Sequence, residues 1–206
     1  MKEIHEYEKD ISSIRTMMER SVKFLSLSGL SGVLAGIYAI AGAAVAYFLL
    51  SDERFQILPD YSSDQPRVLF ELLMVASIVL IASILTALWL SQRKAKRYNI
   101  TLWNSASKRL MINLAIPLVT GGLFILIMLY MGEYGVAAPA SLIFYGLALI
   151  QASQHTFDEV RYLGFLEIAL GLVSLLFPGF GLIFWTIGFG ILHIIYGSIM
   201  YFRHDQ

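Results

Sequence analysis

Cysteine is absent from the 206 residues, which excludes disulfide frameworks, thiolate nucleophiles and cysteine-based zinc or iron–sulfur sites. Charge is scarce as well. Asp, Glu, Lys and Arg make up 15% of the chain against 57% hydrophobic residues, where a soluble domain carries about 25% charged. Too little polar sequence lies between the apolar segments for a separate soluble catalytic domain. HExxH, GxSxG and P-loop patterns are missing, and His193 and Ser198 are spaced so that they do not share a helical face as an in-helix dyad should. These absences point away from an enzyme, and no cofactor is implied.

What the chain has is hydrophobic length, with a mean hydropathy of +0.68. A membrane-spanning helix needs roughly 20 mostly apolar residues, because each contributes about 1.5 Å toward about 30 Å of hydrocarbon. Six segments fit that requirement: Phe24–Leu50, Val68–Ser91, Leu110–Met131, Val136–Gln154, Phe157–Phe177 and Gly181–Phe202. Pro66, the Gly132–Gly135 stretch and Pro178–Gly179 punctuate them. The expectation is an all-α polytopic bundle of six transmembrane helices over residues 24–206, preceded by a cytoplasmic arm over residues 1–23. The first apolar run follows about two dozen polar residues and exceeds the about 7–15 residues of a signal-peptide core, so no cleaved leader is expected.

Basic residues set the direction, since Lys and Arg stay on the cytoplasmic side. The arm and the loop from Arg93 to Arg109 are rich in them, whereas the first loop is acidic, with Asp52, Glu53, Asp60 and Asp64. All but Arg54 and Arg67 of the 15 basic residues fit a topology with both termini inside. That is the arrangement of a bacterial inner-membrane protein with the lipid bilayer as its main partner. Topology accounts for the basic loop, which leaves nucleic-acid binding without support; the loop could instead touch anionic headgroups.

Within the arm, Ile4, Tyr7, Ile11, Ile14, Met18 and Leu25 mark one face of an amphipathic helix. That face can lie on the membrane or bundle, or join two copies as a short coiled coil. The first span carries small residues, Gly29, Gly32 and Gly36 among them, and Gly32–Gly36 is a GxxxG pair. Such a stripe serves close packing within the chain or a homo-oligomer equally well. Gly164 and Gly171 play the corresponding part in the fifth span. In the turn "QASQHTFDEVRY", the run His155, Asp158, Glu159 suggests metal ligands, but Thr156 followed by Glu159 reads more simply as a capping box. No metal site is expected there.

Two ionisable groups stand inside apolar spans, Glu167 and His193. Glu167 is twelve residues before Gly179 and His193 fourteen after, so their depths differ by about 3 Å at 1.5 Å per residue. Antiparallel neighbours would bring them together, with Tyr196, Asn113 and Gln151 as further contributors. A carboxylate at mid-membrane costs on the order of 3 kcal/mol and is normally turned inward and paired. The pair reads either as a polar clasp fixing helix register or as a proton- or ligand-handling site of a small transporter or channel subunit.

The stretch "LGFLEIALGLVSLLFPGFGLIFWTIGFGILHIIYG" resembles the repeat hairpin of the short-repeat acid-resistance (HdeD-like) membrane proteins, through Gly164, Gly171, Phe177, Pro178, Gly179, Gly188 and Gly197. The whole chain is similar to small six-helix bacterial inner-membrane proteins. The resemblance implies a stress-related envelope protein without established catalysis, acting as a helper or interaction module.

Overall fold

The computed structural model describes residues 28–51, 65–97, 103 and 105–204. The amino-terminal arm with its expected amphipathic helix and the acidic loop at 52–64 lie outside the described residues.

Among the described residues six helices follow one another: α1 (Gly29–Ser51), α2 (Gln65–Arg97), α3 (Ser105–Tyr130), α4 (Ala137–Ser153, entered through a 3-10 turn at Tyr134–Val136), α5 (Glu159–Leu175) and α6 (Gly181–His204). Every regular element among the described residues is helical. Five of the helices are long and apolar enough to cross a membrane; these are α1, α2, α3, α4 with its entry turn, and α6. The exception, α5, has 17 residues and rises about 25 Å. By contrast, the 33 residues of α2 rise about 50 Å, beyond the about 30 Å of hydrocarbon. Its last turns, carrying Lys94, Lys96 and Arg97, therefore stand clear of any bilayer that holds its middle.

The turns have local causes. Gly132, at φ +86°, ends α3 in a Schellman motif: Glu133 N–H donates to Met128 O (2.9 Å) and Gly132 N–H to Leu129 O (3.1 Å). Pro178 and Gly179 occupy the middle of a β-turn closed by Phe180 N–H on Phe177 O (3.2 Å). Gly179 takes φ +89° there, the left-handed value that position of a type II turn requires.

Two helix pairs carry the close packing. In the α1/α6 pair, a Cβ on Gly36 would lie 2.6 Å from Gly190 O and 2.7 Å from Ile194 Cγ1; in the α4/α5 pair, a Cβ on Gly146 would lie 2.6 Å from Gly164 O and 2.7 Å from Ile168 Cγ1. Both are the same interlock, a glycine facing a glycine with an isoleucine one turn on. The spacing Gly-x-x-x-Ile recurs at Gly36–Ile40, Gly146–Ile150, Gly164–Ile168 and Gly190–Ile194. Gly29 and Gly32 continue the α1 seam against Gly197, and Gly171 continues the α5 seam against Pro139 and Ile143. All five expected packing glycines are used, and the GxxxG of α1 faces α6 of the same chain. Around these pairs, α2 packs on α1, α3 packs on α4, and α6 touches α4 and α5, joining the halves.

This arrangement sorts charge. Arg93 to Arg97 close α2, Lys108 and Arg109 open α3, Arg161 opens α5 and Arg203 closes α6, all at one end of the bundle. At the Gly179 end stand Arg67, bound to Glu71 at 3.1 Å, and Glu133.

Candidate functional site

The buried face of α5 comprises Val160, Leu163, Gly164, Glu167, Gly171 and Ser174. Gly164 and Gly171 turn that face toward α4, and Glu167 shares it, so its carboxylate points into the bundle and is 0% exposed. On α6, Gly188, Gly190, His193, Gly197 and Met200 are the buried positions. Gly188 supplies room for the carboxylate: a Cβ there would lie 2.5 Å from Glu167 Oε2.

His193 Nδ1 lies 3.4 Å from Glu167 Oε1 and 3.0 Å from Gly188 O. On the other side of the ring, Nε2 is 2.8 Å from the Tyr145 hydroxyl of α4. A neutral imidazole has one donor and one acceptor nitrogen. Nδ1 faces a carbonyl and a carboxylate, so it carries the hydrogen and donates to Gly188 O, and Nε2 accepts from the Tyr145 O–H. One side chain thereby ties α4, α5 and α6 together. The carbonyl it uses belongs to the π-helical stretch Thr186–Leu192, where the bonding pattern is widened by one residue. Single π turns often accompany functional positions, and the imidazole satisfies a main-chain acceptor that hydrocarbon could not.

The Glu167 carboxylate is less well served. Neither oxygen has a hydrogen-bond partner, and 3.4 Å is beyond the about 2.7–3.2 Å of a good N–H···O bond. Leu142 of α4 is fully buried, and Leu149, Val160 and Leu163 form a core cluster against which Leu192 and Tyr196 pack. An aromatic ladder runs up α6 from the histidine: Phe189 lies 5.8 Å from His193, Trp185 lies 5.0 Å from Phe189, and Tyr145 meets both Phe189 (5.0 Å) and His193 (5.3 Å) at a tilt. An apolar cavity at the Gly179 end has Trp185 and Ser141 among its walls, and Glu167 is not one of its lining residues.

Of the residues expected at this site, Glu167 and His193 meet, while Tyr196, half-buried, packs on the Leu149, Val160 and Leu163 cluster. Asn113 and Gln151 do not join. Asn113 is half-buried on α3, which packs on α4, and Gln151 is exposed. Among the described residues neither makes a hydrogen bond to the pair. Tyr145 is the member the sequence reading missed, although its position was a signal: it stands in the middle of α4, away from both aromatic belts, where a phenol needs a partner.

The α4–α5 turn also differs from expectation. Asp158, not Thr156, sits at the N-cap position and makes no side-chain cap bond. Glu159 is the first residue of α5, and its carboxylate accepts from Arg203 Nη1 (2.7 Å) and from His204 Nε2 (3.3 Å) at the end of α6. Arg203 and His204 across the helix interface share it with the local backbone amide of Glu159.

No protein-family model, curated protein or solved structure matches the chain.

Proposed function

We propose that the chain is a six-span, non-enzymatic integral membrane protein of the bacterial inner membrane, both termini cytoplasmic, in which Glu167, His193 and Tyr145 form a clasp holding α4, α5 and α6 in register. The observation that carries the clasp is a fully buried carboxylate facing a histidine whose two ring nitrogens are both engaged. Such a site is built to stay, and the apolar cavity stops short of it. Connectivity supports the sixth span: α4 runs to the Arg203 end and α6 starts at the Gly179 end, with α5 between them. The clustering of basic residues at the Arg203 end supports a cytoplasmic assignment for that face. With Gly32 and Gly36 occupied by α6, the arm at residues 1–23 is the proposed route to a second copy. The resemblance of the last hairpin to HdeD-like proteins supports a stress-related helper role in the envelope.

The orientation is tested with reporter fusions after Arg93 and after Asp60, which should report opposite sides of the membrane; the same side for both ends the topology.

A second reading, proton handling by a small transporter or channel subunit, is favoured by the carboxylate oxygens without hydrogen bonds and by the π-helical stretch beside them. Proteoliposomes separate the two. Under a clasp, the Glu167→Gln variant behaves like the native chain in a pH-jump flux assay. Under proton handling, a native flux is present and this variant abolishes it, because Gln cannot titrate.

A further inference from the structure

The two interlocked pairs leave α2 and α3 over. α2 packs on α1, α3 on α4, and the two do not pack along one another. The middle of α2 has no buried residue. Between them, toward the Gly179 end, lies a cavity of about 600 Å³ whose walls include Ala46 of α1, Val75 of α2, Leu129 of α3, Ala138 of α4, and Leu182 and Trp185 of α6. The volume falls in the range of about 300–1,000 Å³ in which proteins hold small ligands. The walls are mostly apolar: Ser141 gives its hydroxyl to Ala138 O at 2.7 Å, and the Tyr134 hydroxyl and Trp185 indole N–H are the other polar side-chain groups among the lining residues. An apolar cavity of this kind stays dry or takes an apolar guest.

The rim is charged. Arg67 immediately precedes the wall residues Val68 and Leu69, and Glu133 immediately precedes the wall residues Tyr134 and Gly135. Arg67 uses Nε on Glu71, while its guanidinium, 73% exposed, has further N–H donors. Among the described residues at this end, Arg67, already paired with Glu71, keeps N–H donors for a phosphate and Glu133 offers a carboxylate to an ammonium, which complements a zwitterionic head on an apolar chain.

We infer that this cavity binds a zwitterionic glycerophospholipid, one acyl chain entering between α2 and α3, the phosphate at Arg67 and the ammonium toward Glu133. The inference depends on the membrane placement of the chain and not on the role of Glu167. A bound chain completes the packing that the α1/α6 and α4/α5 pairs obtain from glycine.

The test uses the full chain in nanodiscs of phosphatidylethanolamine and phosphatidylglycerol, with a trace of phosphatidylethanolamine carrying a diazirine on its acyl chain. After irradiation, adducts are mapped by mass spectrometry. Val75, Leu129 and Trp185 should be labelled severalfold more than Ile78 and Leu85, which are exposed on α2. Ala46→Phe and Val75→Phe, which fill the cavity from different helices, should each abolish the excess at Trp185 and leave Leu85 labelling unchanged. Keeping both variants guards against one that fails to fold. A phosphatidylglycerol probe should label the cavity more weakly than the zwitterionic one, Glu133→Gln should remove that preference, and Arg67→Gln should weaken labelling by both probes. Equal labelling of cavity and outer positions, or an excess that survives both filling variants, overturns the site. Absence of adducts anywhere on α2 would overturn the membrane placement itself, a distinct result.

Discussion

Glu159 and Glu167 stand on the same helix, eight residues and so about 12 Å apart, and each faces a histidine of α6, yet they are held in opposite ways. Glu159 has the better bonds: 2.7 Å from Arg203, 3.3 Å from His204, with Phe157 stacked on the His204 ring at 4.2 Å. Glu167 has one contact at 3.4 Å and no hydrogen bond. Good geometry at the rim buys little, because Arg203 is 68% exposed and water competes for both partners. In the interior the geometry is poorer, but the alternatives for a carboxyl group are lipid or an apolar void, and both are worse. The strength of each pair is set by what would replace it.

The largest effect should come from emptying the inner site. Glu167→Ala removes the His193 contact and leaves a hole beside Gly188, at a cost of about 2–4 kcal/mol. Glu167→Gln keeps shape and hydrogen-bonding capacity and should cost under about 1 kcal/mol. Unfolding titrations in detergent measure both. Equal losses for the two variants would mean that the carboxylate charge, not the filled and bonded volume, is what the site requires.

Next in size is Gly188→Ala, whose methyl group would collide with Glu167 Oε2. Overpacking of this sort costs about 1–3 kcal/mol. In a Glu167→Ala background the carboxylate is gone and only the Leu142 side chain still meets the added methyl group, so the same change should be milder, and a double-mutant cycle measures the coupling. Additive losses would show that the two positions do not press on each other. Smaller still, Tyr145→Phe deletes one interhelical hydrogen bond, for which about 0.6–1.7 kcal/mol is the membrane-protein range. No change at all would remove the phenol from the clasp.

Much of the frame was legible beforehand, and what was missed has a common cause. Span positions follow from hydropathy. Matched depth about the Pro178–Gly179 turn is enough to pair Glu167 with His193, and glycine spacing is enough to locate the close seams. Which face of a helix is inside is harder to read, because lipid is as apolar as a bundle core and no polar stripe marks the outside. Asn113 and Gln151 therefore read as possible contributors because they are polar residues within spans, whereas Tyr145, which meets His193, reads as one more aromatic of α4. The π-helical stretch at Thr186–Leu192 has no pattern of its own beyond Gly188 and Gly190. Thr156 and Glu159 fit a capping box locally; the competing partners, Arg203 and His204, come from α6, far away in sequence.

The smallest effect belongs to the rim, and it sharpens the contrast most because it should respond to a variable the inner pair ignores. Glu159→Gln loses a pair that is open to solvent on the Arg203 side, worth about 0.2–1 kcal/mol at low salt. Counterions screen exposed charges over about 10 Å at 0.1 M and about 3 Å at 1 M, so the difference between native and variant chains should shrink toward zero as salt is raised. The loss caused by Glu167→Ala should keep its size across the same series, since ions do not enter a fully buried site. Unfolding titrations of both variants at low and high salt give the comparison directly. A salt-dependent loss at Glu167 would mean that solvent reaches it and would favour proton handling over the clasp; a salt-independent loss at Glu159 would mean that the rim pair is locked by the Phe157–His204 stack rather than by charge.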